Sequence, residues 1–416
     1  MPYIIPLFVH DFSSDKQLLT IKIARVMLLS PLFFSISYVL GGILNSFKRF
    51  LVYSLAPLIY NISIIMSTLL LSHKIGIWAP VYGVVIGAFL HMVIQIPQAI
   101  ALGWRPKLSF HIHSGIGKIV RLMIPRSIGM GANQLMLLFY TSIAASLGAG
   151  SVAVLNFADN IQTMPTVVFG TSFATAAFPT LATYFAEKKE KDFTALLFKT
   201  IRSALYILIP MGIGIILLRS QIVRIILGSG EFGWQQTIAT FNTLGWFAVA
   251  LFAQGLVAII ARAFYAIHNT RTPTIISVIS VIISIILGWI FSRIRILGVA
   301  GLALGFSVGG IINAGLLYYF LRKKIPSLME EEKGIIQYIG KILVATLFMA
   351  IVVQIIKVFI GEIVDMQRYW GLIVQVIASI IFGGSIYLFT TFTFKIQEIK
   401  EIKEIMFIIK AKFIKN

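Results

Sequence analysis

The sequence is defined first by what it lacks. It contains no cysteine, which excludes disulfide bonds, thiol catalysis and thiolate metal ligands. Only 12% of its 416 residues are charged, and Asp and Glu together number 15. It carries no P-loop, no HExxH motif and no Ser/His/Asp set. We therefore expect a protein that is not an enzyme and that has no cofactor and no metal site.

What the sequence has instead is long hydrophobic runs. Hydrophobic residues make up 58% of the chain, and the mean hydropathy is +0.93. A helix crosses a bilayer with roughly 20 apolar residues, and lipid forces its backbone to hydrogen-bond internally. The pattern predicts an all-α polytopic membrane protein with about eleven transmembrane helices. The predicted spans are 20–46, 51–72, 80–102, 118–145, 151–185, 192–218, 237–266, 273–292, 297–321, 335–360 and 370–391.

Basic residues are unevenly distributed between the two sides of the predicted spans. The formal net charge is +20. The loops after the odd-numbered spans, with the C-terminal tail, carry more than twice as many Lys and Arg residues as the other loops. Because the cations lie in short loops, we expect anionic inner-leaflet lipids and no nucleic acid as partners. The positive-inside rule puts the C-terminus in the cytoplasm, although Arg293 and Arg295 lie on the opposite side, against the trend.

The tail at 392–416 has a pattern of its own. Ile396, Ile399, Ile402 and Ile405 recur every three residues, with Lys and Glu between them. This predicts a basic amphipathic helix on the cytoplasmic leaflet. A solvated helical end fits the same pattern.

The fifth span contains a cluster of polar residues. Asn156, Asp159, Asn160 and Thr163 fall on one helical face, and Asp159 is the only acid well inside any span. Proline and glycine interrupt the same span at Pro165, Gly170 and Pro179. A polar group in lipid is costly unless it faces a cavity or a polar partner. The pattern favours a water-filled, substrate-binding cavity, and polar contacts between packed helices are the alternative.

A second polar face lies on the fourth span and consists of Arg126, Asn133 and Gln134. Arg126 could snorkel to the interface, or present its guanidinium to a phosphate. A tight turn at 148–150 joins the fourth and fifth spans, so we expect their polar faces to converge. Arg202, on the sixth span, is assigned to the same cavity.

The ninth span carries small residues at regular spacing. Gly301, Gly305 and Gly309 repeat every four residues, and Asn313 continues the repeat. The repeat predicts close packing against another helix, with a sliding surface as the alternative.

Several motifs of the chain occur together in a known order. Residues 262–273 have the form RxFYAxxNTxTP, and 42–50 have the form GxLNxxxRF. These segments resemble motifs of the MurJ (MviN) lipid II flippase family, in the multidrug/oligosaccharidyl-lipid/polysaccharide exporter superfamily. Shorter similarities to the family occur at 57–62, 157–165 and 227–232.

The resemblance implies a two-lobed, MATE-like transporter fold. The eleven spans correspond to helices four to fourteen of the family, and 1–10 correspond to a remnant of helix three. The sequence is then truncated relative to the family at its N-terminus. The implied division is a partial N-lobe at 1–102, an inter-lobe cytoplasmic loop at 103–117, a C-lobe at 118–324, two extra helices at 325–391 and the tail at 392–416.

The resemblance also implies a function. It implies translocation of undecaprenyl-pyrophosphate-linked peptidoglycan precursor from the inner to the outer leaflet of a bacterial cell membrane, by alternating access. Cell-wall synthesis machinery is an implied partner. Where the family carries a basic residue beside its helix-eight acid, this chain has Asn160, so we expect Arg126 to supply the cation.

Alternative functions stay open at this point. The nearest are a flippase for other polyprenyl-linked saccharides and a cation-coupled drug exporter of the same superfamily. An alternative of another class is an inactive fragment or membrane scaffold that needs a partner for the missing helices.

Overall fold

A computed structural model describes residue 2 and residues 5–9, 12–47, 49–105, 114–228, 233–396 and 398. These residues are almost entirely helical and contain no strand, so the predicted all-α class is confirmed. A π-helical turn (Thr166–Thr171) joins α8 to α9. The helices are α1 (Ile5–Phe8), α2 (Ser14–Met27), α3 (Leu29–Ser46), α4 (Phe50–Ile75), α5 (Trp78–Val93), α6 (Ile96–Ala101), α7 (Ser114–Ser146), α8 (Ser151–Pro165), α9 (Ser172–Ala186), α10 (Glu190–Leu227), α11 (Trp234–Ala248), α12 (Leu251–Ala266), α13 (Arg271–Ser292), α14 (Val299–Lys324), α15 (Leu328–Ile363) and α16 (Tyr369–Thr393).

All eleven predicted spans are helical, but four of them are interrupted. The breaks separate α2 from α3, α5 from α6 and α11 from α12, and the π-turn separates α8 from α9. Eight helices of the described chain are long and apolar enough to cross a membrane, or nine if α11 and α12, bent by 44°, form one crossing. The number of eleven crossings therefore stays a prediction.

Several predicted features fall outside the described residues. They are the middle of the inter-lobe loop at 106–113, the glycine-rich turn at 229–232 and all of the tail beyond 396 except 398. The predicted amphipathic tail helix therefore stays a prediction.

The chain divides into two compact units, 1–116 and 117–416. In the first unit, three buried polar side chains bond to one another. Ser37 Oγ lies 2.6 Å from His91 Nδ1, and Gln95 Nε2 donates to Ser37 Oγ at 2.6 Å. Because lipid offers no hydrogen-bond partners, this mutual bonding lowers the cost of placing polar groups inside an apolar unit.

In the second unit, α10 is the central helix. It packs against α9, α11, α12, α15 and α16, and it buries Phe193 and Phe198 in a continuous apolar core. With 38 residues it is about 57 Å long, nearly twice the roughly 30 Å thickness of a hydrocarbon core. Part of α10 therefore extends beyond the apolar layer.

The glycine repeat of α14 faces α13. Gly301 lies against the backbone of Phe291, Gly305 against Gly288 and Gly309 against Ser284. None of the three positions has room for a Cβ atom, so the two backbones approach closely. The packing interpretation of the repeat is confirmed.

The motif that resembles the family signature forms the turn between α12 and α13. Ala263 and Phe264 are fully buried in the core. Asn269 Oδ1 accepts the backbone N–H of Thr272 at 3.1 Å, and Asn269 Nδ2 donates to Thr272 Oγ1 at 2.9 Å. The side chain thus satisfies an N–H group that the first turn of α13 leaves without a helical partner.

Removing this cap is expected to weaken the α12–α13 turn. Asn269→Ala should lower the free energy of unfolding by about 1 kcal/mol, the usual effect of losing a capping side chain. Asn269→Asp keeps the acceptor and should retain most of the stability. Thermal unfolding of the purified protein in detergent measures both, and equal destabilisation by the two variants would argue against capping.

Candidate substrate-binding face of α8

α8 has one packed face and one polar face. Its buried residues lie against α11 and, to a lesser extent, α14. On the other side Asn156, Asn160 and Thr163 are exposed, and Asp159 is partly buried. The four polar residues therefore share one face, as their spacing predicted.

Gln162, which the sequence pattern did not single out, holds the Asp159 carboxylate in place. Gln162 Nε2 donates to Asp159 Oδ1 at 2.9 Å and to Thr163 Oγ1 at 3.1 Å. Gln162 is only 3% exposed, and its Oε1 has no hydrogen-bond partner among the described residues. The available signal was a Gln three residues after the acid, since side chains at that spacing contact one another on a helix.

The polar face ends at a distortion of the helix. The π-turn begins directly after Pro165 and includes Gly170. Gly170 packs against Gly255 of α12. A Cβ atom on Gly170 would lie 2.8 Å from the Gly255 Cα, so this contact requires glycine. The predicted interruption at Pro165 and Gly170 is confirmed, whereas Pro179 lies inside α9 without ending it. π-turns within helices frequently occur at functional sites.

Tyr140 of α7 contacts α13: its Oη donates to the Ser284 carbonyl at 2.8 Å, and its ring lies against Gly288. Asn133 and Gln134 lie about 100° and 200° around the helix axis from Ala132, and both are exposed. The side chain of Arg126 lies outside the described part of α7. The buried line of α7 consists of Ala132, Met136, Tyr140 and Ala144.

The turn between α7 and α8 has the predicted form. It contains four residues, and Gly148 and Gly150 have φ values of +122° and +85°. Glycine adopts this left-handed region without the steric cost that a Cβ imposes. The convergence of the two polar faces on either side of the turn stays a prediction.

Arg202 does not lie with the α8 residues, and its assignment to that cavity is corrected. It lines a separate pocket between α10, α15 and the segment after α16, with Tyr338 and Glu398. The Tyr338 hydroxyl donates to the Arg202 carbonyl at 3.0 Å, and Arg202 Nε lies 3.9 Å from Glu398 Oε1. A helix surrounded by five others contacts different neighbours on each side, and sequence spacing does not reveal which neighbour a given residue faces.

Comparison with known proteins identifies the family. Residues 1–380 match the family model described as lipid II flippase MurJ. The chain belongs to the MurJ family. It is 24% identical to the lipid II flippase MurJ of Burkholderia cenocepacia, over 81% of this chain and 66% of that protein. It is 28% identical to the probable lipid II flippase MurJ of Rickettsia prowazekii, over 95% of this chain and 78% of that protein.

Solved structures support the MurJ assignment and the fold. A lipid II flippase MurJ in an inward closed conformation matches with a TM-score of 0.78 and 27% identity, over 94% of this chain and 78% of the other. An inward-facing multidrug resistance MATE transporter matches with a TM-score of 0.69 and 19% identity, over 79% and 77%. The second match shows the fold alone. The predicted MATE-like fold is confirmed, and the chain is a multi-pass bacterial membrane protein.

Proposed function

We propose that this chain translocates lipid II, the undecaprenyl-pyrophosphate-linked peptidoglycan precursor, from the inner to the outer leaflet by alternating access. The observation that carries the proposal is the polar face of α8, which is exposed on a helix whose other face is packed in the core. Such a face is costly in lipid. It suits a water-filled cavity in which the sugar and pyrophosphate groups of the substrate find hydrogen-bond partners while the lipid tail stays in the bilayer.

Charge places a further requirement on this cavity. The pyrophosphate is anionic, and Asp159 alone would repel it. A nearby cation is needed, and Asn160 is not basic. We assign that role to Arg126 on α7, because a guanidinium bonds two phosphate oxygens at once.

The rival functions receive less support. The likeness to the MATE drug exporter is in fold only, at 19% identity, whereas the MurJ family model covers residues 1–380. The cytoplasmic C-terminus, the inner-leaflet lipids and the cell-wall synthesis machinery as partners are parts of the same proposal, supported by the charge bias of the loops and by the family.

Transport is tested in a bacterium depleted of its own flippase. Expression of the protein should restore lipid II to the outer leaflet. The measurement is the fraction of lipid II accessible to an externally added degrading enzyme. Normal expression without any rise in accessible lipid II would reject the proposed function.

The role of Arg126 is tested in the same assay. Arg126→Ala should reduce translocation roughly tenfold or more, the effect of losing a charge-assisted bond, and Arg126→Lys should recover little, because a point charge lacks the bidentate fork. Arg126→Ala combined with Asn160→Arg should restore part of the activity.

Arg368→Ala is the matched control, because that side chain is 82% exposed. It should transport like the unmodified protein. Unchanged transport by Arg126→Ala would reduce Arg126 to an interfacial anchor.

A further inference from the structure

The pocket that contains Arg202 has an unusual charge. It has a volume of about 200 Å³ and is formed by α10, α15 and the segment after α16. Among the residues that the structure describes, three cations line it, Arg202, Lys341 and Lys395, against one acid, Glu398. The charges of these four side chains sum to +2, which favours an anionic ligand.

The charged groups in this pocket are not satisfied by one another. Arg202 Nε stays 3.9 Å from Glu398 Oε1, which is beyond hydrogen-bond distance. Arg202 Nε and Glu398 Oε2 are both buried and have no hydrogen-bond partner among the described residues. Lys341 is exposed, and among the described residues its Nζ donates one long bond, 3.4 Å, to the Phe394 carbonyl. Since buried donors without acceptors are costly, the pocket has unused capacity for a ligand with several acceptor oxygens.

The pocket lies where two apolar spans end. The apolar span of α15 begins at Gly334, which lines the pocket, and α16 ends at Thr393, two residues before Lys395. Lys341 lies about 10 Å along α15 from Gly334, within reach of a snorkelling lysine. This is the depth of the membrane interface, where the phosphate groups of lipids lie.

We propose that this pocket binds a phosphate group, with the Arg202 guanidinium on two of its oxygens and Lys341 and Lys395 balancing its charge. Glu398 opposes binding and keeps the affinity moderate. Because Ile396 and Glu398 belong to the segment after α16, an occupied pocket would hold that segment against α10 and α15. The proposal goes beyond lipid II transport, since the site is separate from the α8 face. A phospholipid headgroup and free phosphate are the two sources of this chemistry.

Binding is measured by native mass spectrometry of the purified protein, titrated with phosphatidylglycerol or phosphatidylcholine. The unmodified protein should prefer phosphatidylglycerol. Lys341→Gln with Lys395→Gln should weaken phosphatidylglycerol binding roughly tenfold, as expected for losing two charge-assisted contacts. The matched pair Lys191→Gln with Lys324→Gln removes the same charge at positions that are likewise exposed but do not line the pocket. Its affinity should stay within about twofold, because neither lysine reaches the bound phosphate.

Glu398→Gln should change the affinity for phosphatidylglycerol in the opposite direction. It removes the acid that lines the described part of the pocket and should strengthen binding roughly threefold, a gain that misfolding would not produce. Millimolar inorganic phosphate then distinguishes the sources. If it displaces the lipid, free phosphate can fill the site, and if it does not, the site holds a lipid headgroup whose acyl chains add affinity.

Three results would overturn the proposal: equal weakening by both lysine pairs, no gain or a loss with Glu398→Gln, or no preference for phosphatidylglycerol. Binding is measured without transport. Its failure therefore leaves the proposed flippase function intact, and a failed transport assay leaves the binding result intact.

Discussion

Asp159→Asn is expected to reduce lipid II translocation roughly tenfold to a hundredfold, the effect of about 1.5–3 kcal/mol for a hydrogen bond to a charged group. Asparagine has the same shape and keeps the oxygen that accepts from Gln162 Nε2. The substitution therefore removes the charge and retains the local packing. Lipid II exposed on the outer leaflet is the readout, and thermal unfolding in detergent should show little change.

This variant distinguishes the two interpretations of the α8 face. If the polar residues only connect packed helices, the retained hydrogen bond preserves transport. If the face lines a substrate cavity, the lost charge removes the acid that pairs with Arg126 and keeps the guanidinium charged in the cavity, so translocation falls. Asp192→Asn, at an exposed acid in the first turn of α10, is the matched control and should transport normally. Normal transport by Asp159→Asn would favour the purely structural interpretation.

Gly305→Ala is expected to destabilise the protein by at least about 1–3 kcal/mol, the usual range for overpacking. A Cβ at this position would meet the backbone of Gly288 and Leu287, and backbone cannot rotate away as a flexible side chain can. The α13 and α14 helices would have to separate along their whole contact. Equilibrium unfolding in detergent measures the loss.

The same helix offers a matched control. A Cβ at Gly315 would have no atom within 4 Å, and alanine is the better helix former by up to about 1 kcal/mol. Gly315→Ala should therefore be neutral or slightly stabilising. Similar effects of Gly305→Ala and Gly315→Ala would show that the glycine repeat does not set the distance between the helices.

Much of the secondary structure could be predicted because its causes are local. In lipid, an apolar run has no alternative to a helix, so the long runs determined the helices. The helical period determined that Asn156, Asp159, Asn160 and Thr163 share a face. The repeat of Gly301, Gly305 and Gly309 determined that one side of α14 is packed closely.

Other features depend on contacts that are distant in sequence. The bend between α11 and α12 has no proline to mark it; at this point the Ala248 carbonyl lies against Gly212 of α10. The buried amide of Gln162 looked in sequence like an ordinary polar residue. Its role became visible only when its bond to Asp159 was located.

The partner of each helix face was decided only by the tertiary structure. Spacing predicted that α7 has a polar face, but not that Tyr140 of the same helix bonds the Ser284 carbonyl of α13. From the sequence we assigned Arg202 to the cavity of Asp159, whereas the fold places Arg202 beside Glu398. The physical reason is that a helical period fixes angles around one axis, while the neighbour at each angle depends on how all the other helices pack.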